Sequence, residues 1–170
     1  VRDIIAAAGG ELVGRIRLQK IAYLLERFGM NAGLDFSYHH YGPYSEDITI
    51  ALERARWLDK TIDETEKPTH SGYYSIFTLK NGAAERPDQL GELPGDRAAE
   101  MIDRIKGETS VVAELAATNH WLRNEEQVAD WHTELKRRKT VKATDGNIAA
   151  AERLLEDIAA MGGVSMRHLA

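Results

Sequence analysis

The side chains best equipped for recognition chemistry fall in two short runs, Arg15-Ile-Arg-Leu-Gln-Lys-Ile-Ala-Tyr23 and Phe36-Ser-Tyr-His-His-Tyr-Gly-Pro-Tyr-Ser45. Arg17 and Lys20 lie three residues apart, as do Lys20 and Tyr23, so on a helix their donors and aromatic surface share one face. A guanidinium and an ammonium beside Tyr41, Tyr44 and Ser45 at a glycine-proline turn would suit a partner's carboxylate, a peptide segment or a phosphate. On this reading the candidate partner-binding face is formed by Arg17, Gln19, Lys20 and Tyr23 with Tyr41, Tyr44 and Ser45. The same residues admit a structural reading: Tyr23 in the core, Tyr41 and Tyr44 buttressing the turn, and the cations paired with Glu26, Glu46 or Asp47.

Other chemistries find less support. His39 and His40 are adjacent, so in a strand they point to opposite faces, and neither belongs to a two-histidine helical motif; no metal site is expected. His120 and His132 flank Trp121 and Trp131 on helical stretches, where packed imidazoles are the ordinary outcome. The chain has no glycine-rich phosphate loop, nucleophile elbow or dinucleotide fingerprint, so no catalytic residue and no cofactor is assigned. The expectation is a non-enzymatic protein.

These residues need elements to hold them. Val1 to Ala8 reads as a short helix ended by Gly9-Gly10, and Leu18, Ile21, Ala22, Leu25 and Phe28 mark a second helix over 17–28. Ile48, Ala51, Leu52, Ala55 and Leu58 mark a third over 45–60, with Ser45 as its cap and Glu46 and Asp47 facing its N-terminal dipole. Period-2 alternation over Tyr73 to Leu79, preceded by Thr61 to Glu66, predicts a hairpin around residues 67–72, with Phe36 to Tyr41 as a further strand of the same small sheet. Helix, helix, hairpin is the order of a winged helix-turn-helix. After a connection over 81–95, apolar stripes predict about four helices, with Asn124 stopping one and capping the next. The expected fold is mainly α (α+β): a winged-helix-like unit over 1–80 packed with a helical layer over 94–163, within one compact domain spanning 1–170.

Composition narrows the partners. The 170 residues carry a formal charge of −5 and no cysteine, excluding disulfides and thiolate metal sites. No long apolar span or signal-peptide pattern is present, so a cytoplasmic protein without membrane association is expected, and a start at Val1 fits a short missing upstream piece. Net acidity disfavours generic polyanion binding. As a recognition helix, residues 45–57 would offer Arg54 and Arg56 to DNA, but Glu46 and Asp47 would meet phosphate with the wrong sign.

At Gly14-Arg-Ile-Arg-Leu-Gln-Lys-Ile-Ala-Tyr-Leu-Leu25 and at Phe36 to Ser45, with its Tyr-Gly-Pro-Tyr-Ser core, the chain resembles the YwgA-like proteins and the related Panacea, or SocA-like antitoxin, domain. The likeness extends more weakly through Glu114 to Leu122, Lys139 and the helix over 147–155. It implies an antitoxin-like or proteolysis-adaptor-like module that binds a protein, with a toxin or a protease system as the partner class, and by its match to the first block it adds Arg15 to the candidate partner-binding residues. A winged-helix DNA-binding regulator, or an enzyme of unknown class, is the alternative. The protein is expected as a monomer or a homodimer.

Overall fold

In the computed structural model, residues 1–69, 72–80 and 85–163 are described. The first helix, α1 (Arg2–Ala7), buries Ile4 and Ile5 and stops where Gly9 and Gly10 take φ of +88° and +89°. That reversal feeds strand β1 (Glu11–Val13). Helix α2 (Arg15–Leu25) then buries Leu18, Ile21, Ala22, Leu24 and Leu25 completely, and it loosens into one wide π-type turn over Glu26–Met30. The Glu26 carboxylate accepts the backbone N–H groups of Ala32, Gly33 and Leu34 at 3.0, 2.8 and 3.1 Å. A largely buried acid thus satisfies the loop that turns the chain toward the Tyr-Gly-Pro-Tyr segment.

Strands β2 (Ser37–His39) and β3 (Gly42–Tyr44) pair antiparallel, and helix α3 (Glu46–Trp57) follows. The hairpin of β4 (Ile62–Thr69) and β5 (Gly72–Leu79) completes a three-stranded antiparallel sheet in the order β1-β5-β4. The N-terminal region is winged-helix-like, and its hairpin lies where the alternation predicts it. The third strand is a correction. Residues 36–41 do not join this sheet; Glu11–Val13 does, opposite Ile76–Thr78. Gly42, at φ +86°, folds the 37–44 stretch back on itself, and so short a loop costs less entropy than pairing with a distant strand. Gly14 donates to the Ser75 carbonyl at 2.8 Å and Leu79 to the Gly10 carbonyl at 2.9 Å, tying both ends of β1 to β5. Of the expected wing loop, His70 and Ser71 lie outside the described residues.

A second small hairpin, β6 (Gln89–Leu90) and β7 (Leu93–Pro94), occupies part of the stretch read as a connection, whose residues 81–84 lie outside the described residues. Its Gly91 has φ +60°, and a Cβ there would sit 1.9 Å from the Met30 carbonyl oxygen, so the tight approach to the π-type turn requires glycine. Helices α4 (Gly95–Lys106), α5 (Ser110–Asn124), α6 (Trp131–Lys139) and α7 (Asp145–Gly162) form the C-terminal bundle. Central α5 packs on α2, α6 and α7. Thr109, Asp130 and Thr144 cap α5, α6 and α7 through their side chains. Asn124 does not act as the expected cap: it is the last residue of α5 and its amide donates back to the His120 carbonyl at 2.9 Å. Helices dominate, but the paired strands make this a mixed fold, not a purely helical one.

Candidate functional site: a cleft beside the Tyr-Gly-Pro-Tyr turn

Helices α2 and α3 and the β2–β3 hairpin enclose a cleft of about 300 Å³. Ile16, Leu18, Ile48 and Leu52 line it, His39, His40, Tyr41 and Tyr44 contribute aromatic surface, and Arg15, Gln19, Lys20 and Thr49 are the main polar groups. An apolar cavity with a few fixed donors is the ordinary form of a binding site.

Each wall has an identifiable brace. Gln19, 6% exposed, accepts the Ser45 N–H at 2.8 Å and donates to the Ser45 carbonyl at 3.0 Å, so one amide on α2 holds the start of α3 by both backbone groups. Lys20 is buried and donates to the Pro43 carbonyl at 2.6 Å. Burial, with Lys139 adding like charge, pushes the Lys20 ammonium down to about 7. Lys139 in turn donates to the His40 carbonyl at 3.1 Å and to Glu114 at 2.9 Å, and Lys142 bonds the other Glu114 oxygen at 2.9 Å. A Cβ on Gly42 would stand 2.7 Å from Thr118 Oγ1 and within 3.8 Å of both the Lys20 and Lys139 ammonium nitrogens. The turn is seated on a floor of α2, α5 and α6 side chains that only glycine leaves room for.

The rim is aromatic and its charges are paired. The rings of His39 and Tyr44 stack at 4.6 Å, and the Tyr44 hydroxyl bonds Thr49 at 2.7 Å and donates to Glu46 at 3.2 Å. Tyr41 is 46% exposed, with the Lys142 ammonium over its ring. Arg15 pairs with Glu64 at 2.7 Å and Glu53 at 3.3 Å.

The structure divides the set proposed from the sequence. Arg15, Gln19, Lys20, Tyr41 and Tyr44 border the cleft. Arg17 instead donates to the Lys106 carbonyl and to Ser110, both at 3.1 Å, bracing the α4–α5 connection. Tyr23 is fully buried; its hydroxyl bonds His120 Nδ1 at 2.8 Å, and burial raises its pKa. Ser45 stands at the N-cap position of α3, but its side chain makes no cap bond, and its buried Oγ has no partner among the described residues; Gln19 instead fixes the Ser45 backbone. Arg56 is held by Glu53 and Glu64 at 2.9 and 2.7 Å, while Arg54 is exposed and lies 3.6 Å from Asp59.

Sequence reasoning missed the floor. Glu114, Lys139 and Thr118 carry no local pattern marking them as neighbours of residue 42, and Lys139 sits in a run of four basic residues that reads as a solvated face. His39 and His40, considered only as metal ligands, contribute to the cleft's lining instead. Among the described residues, no three His, Asp or Glu side chains gather where they would hold a metal ion, and no helix is long and apolar enough to cross a membrane.

No protein-family model matches the chain. A DNA ADP-ribosyl glycohydrolase of Thermus aquaticus is 32% identical over 133 residues, covering 75% of this chain and 35% of that protein. The uncharacterised protein YwgA of Bacillus subtilis is 28% identical over 109 residues, 64% of this chain and 64% of that one. The chain thus spans about a third and about two-thirds of the lengths of these two relatives. The first corrects the expectation of a non-enzymatic protein: most of this chain is matched within a protein named for an enzymatic activity, a relationship that no motif in the sequence signals. The second makes the likeness to the YwgA-like proteins a distant and partial one.

Proposed function

We propose that this chain serves the enzymatic removal of ADP-ribosyl groups from DNA, as a unit of the kind carried within a glycohydrolase, and that its cleft receives an apolar or aromatic side chain of a partner protein. The observation that carries this reading is that 75% of the chain matches a part making up 35% of a DNA ADP-ribosyl glycohydrolase, and 64% of it a part making up 64% of YwgA. A unit found both inside a longer enzyme and as most of a shorter protein behaves as a transferable module. The cleft suits a protein anchor: its walls are aliphatic, its rim is aromatic, Arg15, Arg56, Lys139 and Lys142 are already engaged by Glu53, Glu64 and Glu114, and Lys20 is held by the Pro43 carbonyl. Resemblance to antitoxins then points to a partner whose product the glycohydrolase undoes, an enzyme that attaches ADP-ribose to DNA.

The test is titration of the purified chain against an enzyme that attaches ADP-ribose to DNA, in parallel with an assay for ADP-ribose release from a modified oligonucleotide. Tight binding that Tyr44→Ala weakens by about 2 kcal/mol, roughly thirtyfold, is the expected result. The stacked His39 and Tyr44 rings favour a second reading, in which the cleft takes the adenine of the ADP-ribosyl group itself. Saturable ADP-ribose binding or release by this chain, lost on the same substitution, would replace the protein-anchor reading with that one.

A further inference from the structure

A second groove, of about 270 Å³, opens where α3 ends against the β4–β5 hairpin, and it shares no lining residue with the cleft. Buried Ile62 and the Trp57 indole give it apolar surface. Trp57 is 66% exposed yet fixed: its Nε1–H donates to Glu53 at 2.8 Å, and the Arg56 guanidinium lies 5.1 Å from the ring centroid. No other ring or cation among the described residues lies against the indole, so it is held on one face and offers the other to solvent. An aromatic plane already immobilised loses little freedom when a second ring stacks on it. The charges around the groove balance except at one point. Arg15 and Arg56 share Glu53 at 3.3 and 2.9 Å and share Glu64 at 2.7 Å each, a closed set of cations and acids, and Lys80 pairs with Asp63 at 2.9 Å. Lys60 lines the same groove, is exposed, and has no acidic partner among the described residues.

We infer that this groove binds one nucleotide unit, its base stacked on the open face of Trp57 and its phosphate at the Lys60 ammonium. A base is the planar partner that an indole face takes, and one phosphate balances the one cation left over. Further phosphates gain little here, because the other cations of the groove are engaged by acids of the chain itself. A duplex keeps its bases stacked on one another and out of reach of the indole. Two sources share the chemistry that remains, a free mononucleotide and one residue of a single strand. Glu46 and Asp47 do not oppose the phosphate, since they stand at the other end of α3, about 15 Å from Trp57 along the helix axis. The inference stands independently of what the cleft beside the Tyr-Gly-Pro-Tyr turn binds.

The test is titration of the isotope-labelled chain, followed at the indole N–H resonances of its tryptophans. The probes are deoxyadenosine monophosphate, deoxyadenosine, inorganic phosphate, a short single-stranded oligodeoxyadenylate, the same strand in a duplex, and the dipeptide acetyl-tyrosyl-aspartate. The monophosphate is expected to move the Trp57 resonance saturably, deoxyadenosine to do so about tenfold more weakly, and phosphate alone to leave it in place. Read from the nucleotide's own resonances, Trp57→Ala should weaken binding about tenfold or more, and Trp57→Phe should recover most of the loss. Lys60→Asn, which keeps a residue suited to the left-handed φ of +54° at that position, should remove the advantage of the monophosphate over the nucleoside. Both positions are exposed, so thermal melts should be nearly unchanged. A strand that binds more tightly per nucleotide than the monophosphate makes the source a single strand; equal or weaker binding per nucleotide makes it a free nucleotide. No saturable shift at Trp57 up to about 5 mM monophosphate overturns the inference. So does nucleotide binding unchanged in Trp57→Ala, a duplex as effective as the single strand, or a dipeptide as effective as the nucleotide.

Discussion

At the scale of single residues, the cleft depends on polar side chains that are buried because a backbone group needs them. Gln19 is the plainest case: its amide satisfies both the N–H and the carbonyl of Ser45, and truncation would strand both beneath α3. Gln19→Ala should lose about 1–3 kcal/mol in chemical denaturation, more than its exposed neighbours on α2 would cost. His120 makes a pH-dependent contribution. Burial, with Arg27 and Arg123 adding like charge, holds the imidazole down to about 4, and its Nδ1 bonds the Tyr23 hydroxyl. An unfolded chain takes up this proton near pH 6.5 and the folded one only near 4. The unfolded state therefore binds more protons between those values, and stability falls as pH drops from 6.5 through 4, by about 3 kcal/mol at most. Denaturant midpoints measured at intervals across that window should fall less steeply in His120→Gln than in the wild type.

Among elements, the decisive relationship is that of the β2–β3 turn to the helices beneath it. The turn carries the rim residues Tyr41 and Tyr44, yet its position is set by Lys20 from α2, Thr118 and Glu114 from α5, and Lys139 from α6. The Lys139–Glu114 pair has side chains only 2% and 5% exposed, and a buried pair punishes the loss of one partner far more than it rewards the presence of both. Glu114→Gln should therefore cost about 3–5 kcal/mol by leaving Lys139 buried without its counter-charge. The same variant should also displace the turn, seen as shifted amide resonances at residues 40–44 in heteronuclear NMR. If those resonances stay in place, the floor does not set the geometry of the rim. The helices themselves are legible from their apolar steps, because each buries one continuous stripe; the partner of β1 is not, since three residues such as Glu11-Leu-Val13 carry too short an alternation to announce a strand.

For the molecule as a whole, charge distribution argues against a duplex reader despite the winged-helix-like arrangement. Each member of the basic run at 136–139 has an acidic partner within the chain: Lys136 pairs with Asp145, Arg137 with Glu134, Arg138 with Glu126 and Glu134, and buried Lys139 with Glu114. With α3 opening on two acids, binding to unmodified duplex DNA at physiological salt should be no tighter than the non-specific range of about 10⁻⁴ to 10⁻⁶ M, measured by fluorescence anisotropy. A sequence-specific Kd near 10⁻⁸ M would reverse that conclusion. Periodicity, glycine pairs and the Tyr-Gly-Pro-Tyr turn were enough to define the helices, the β4–β5 hairpin and the course of two of the three segments that enclose the cleft, because those signals come from neighbours in the chain. Tertiary structure alone decided that Arg17 and Tyr23 turn away from Lys20's side of the cleft, that Gln19 holds the Ser45 backbone at the start of α3 while Ser45's own side chain makes no cap, and that Glu114, Thr118 and Lys139 form the seat of Gly42. Each of those depends on groups separated by 25 to 99 residues coming together only in the folded chain, where a polar atom must find whichever partner the packing brings to it.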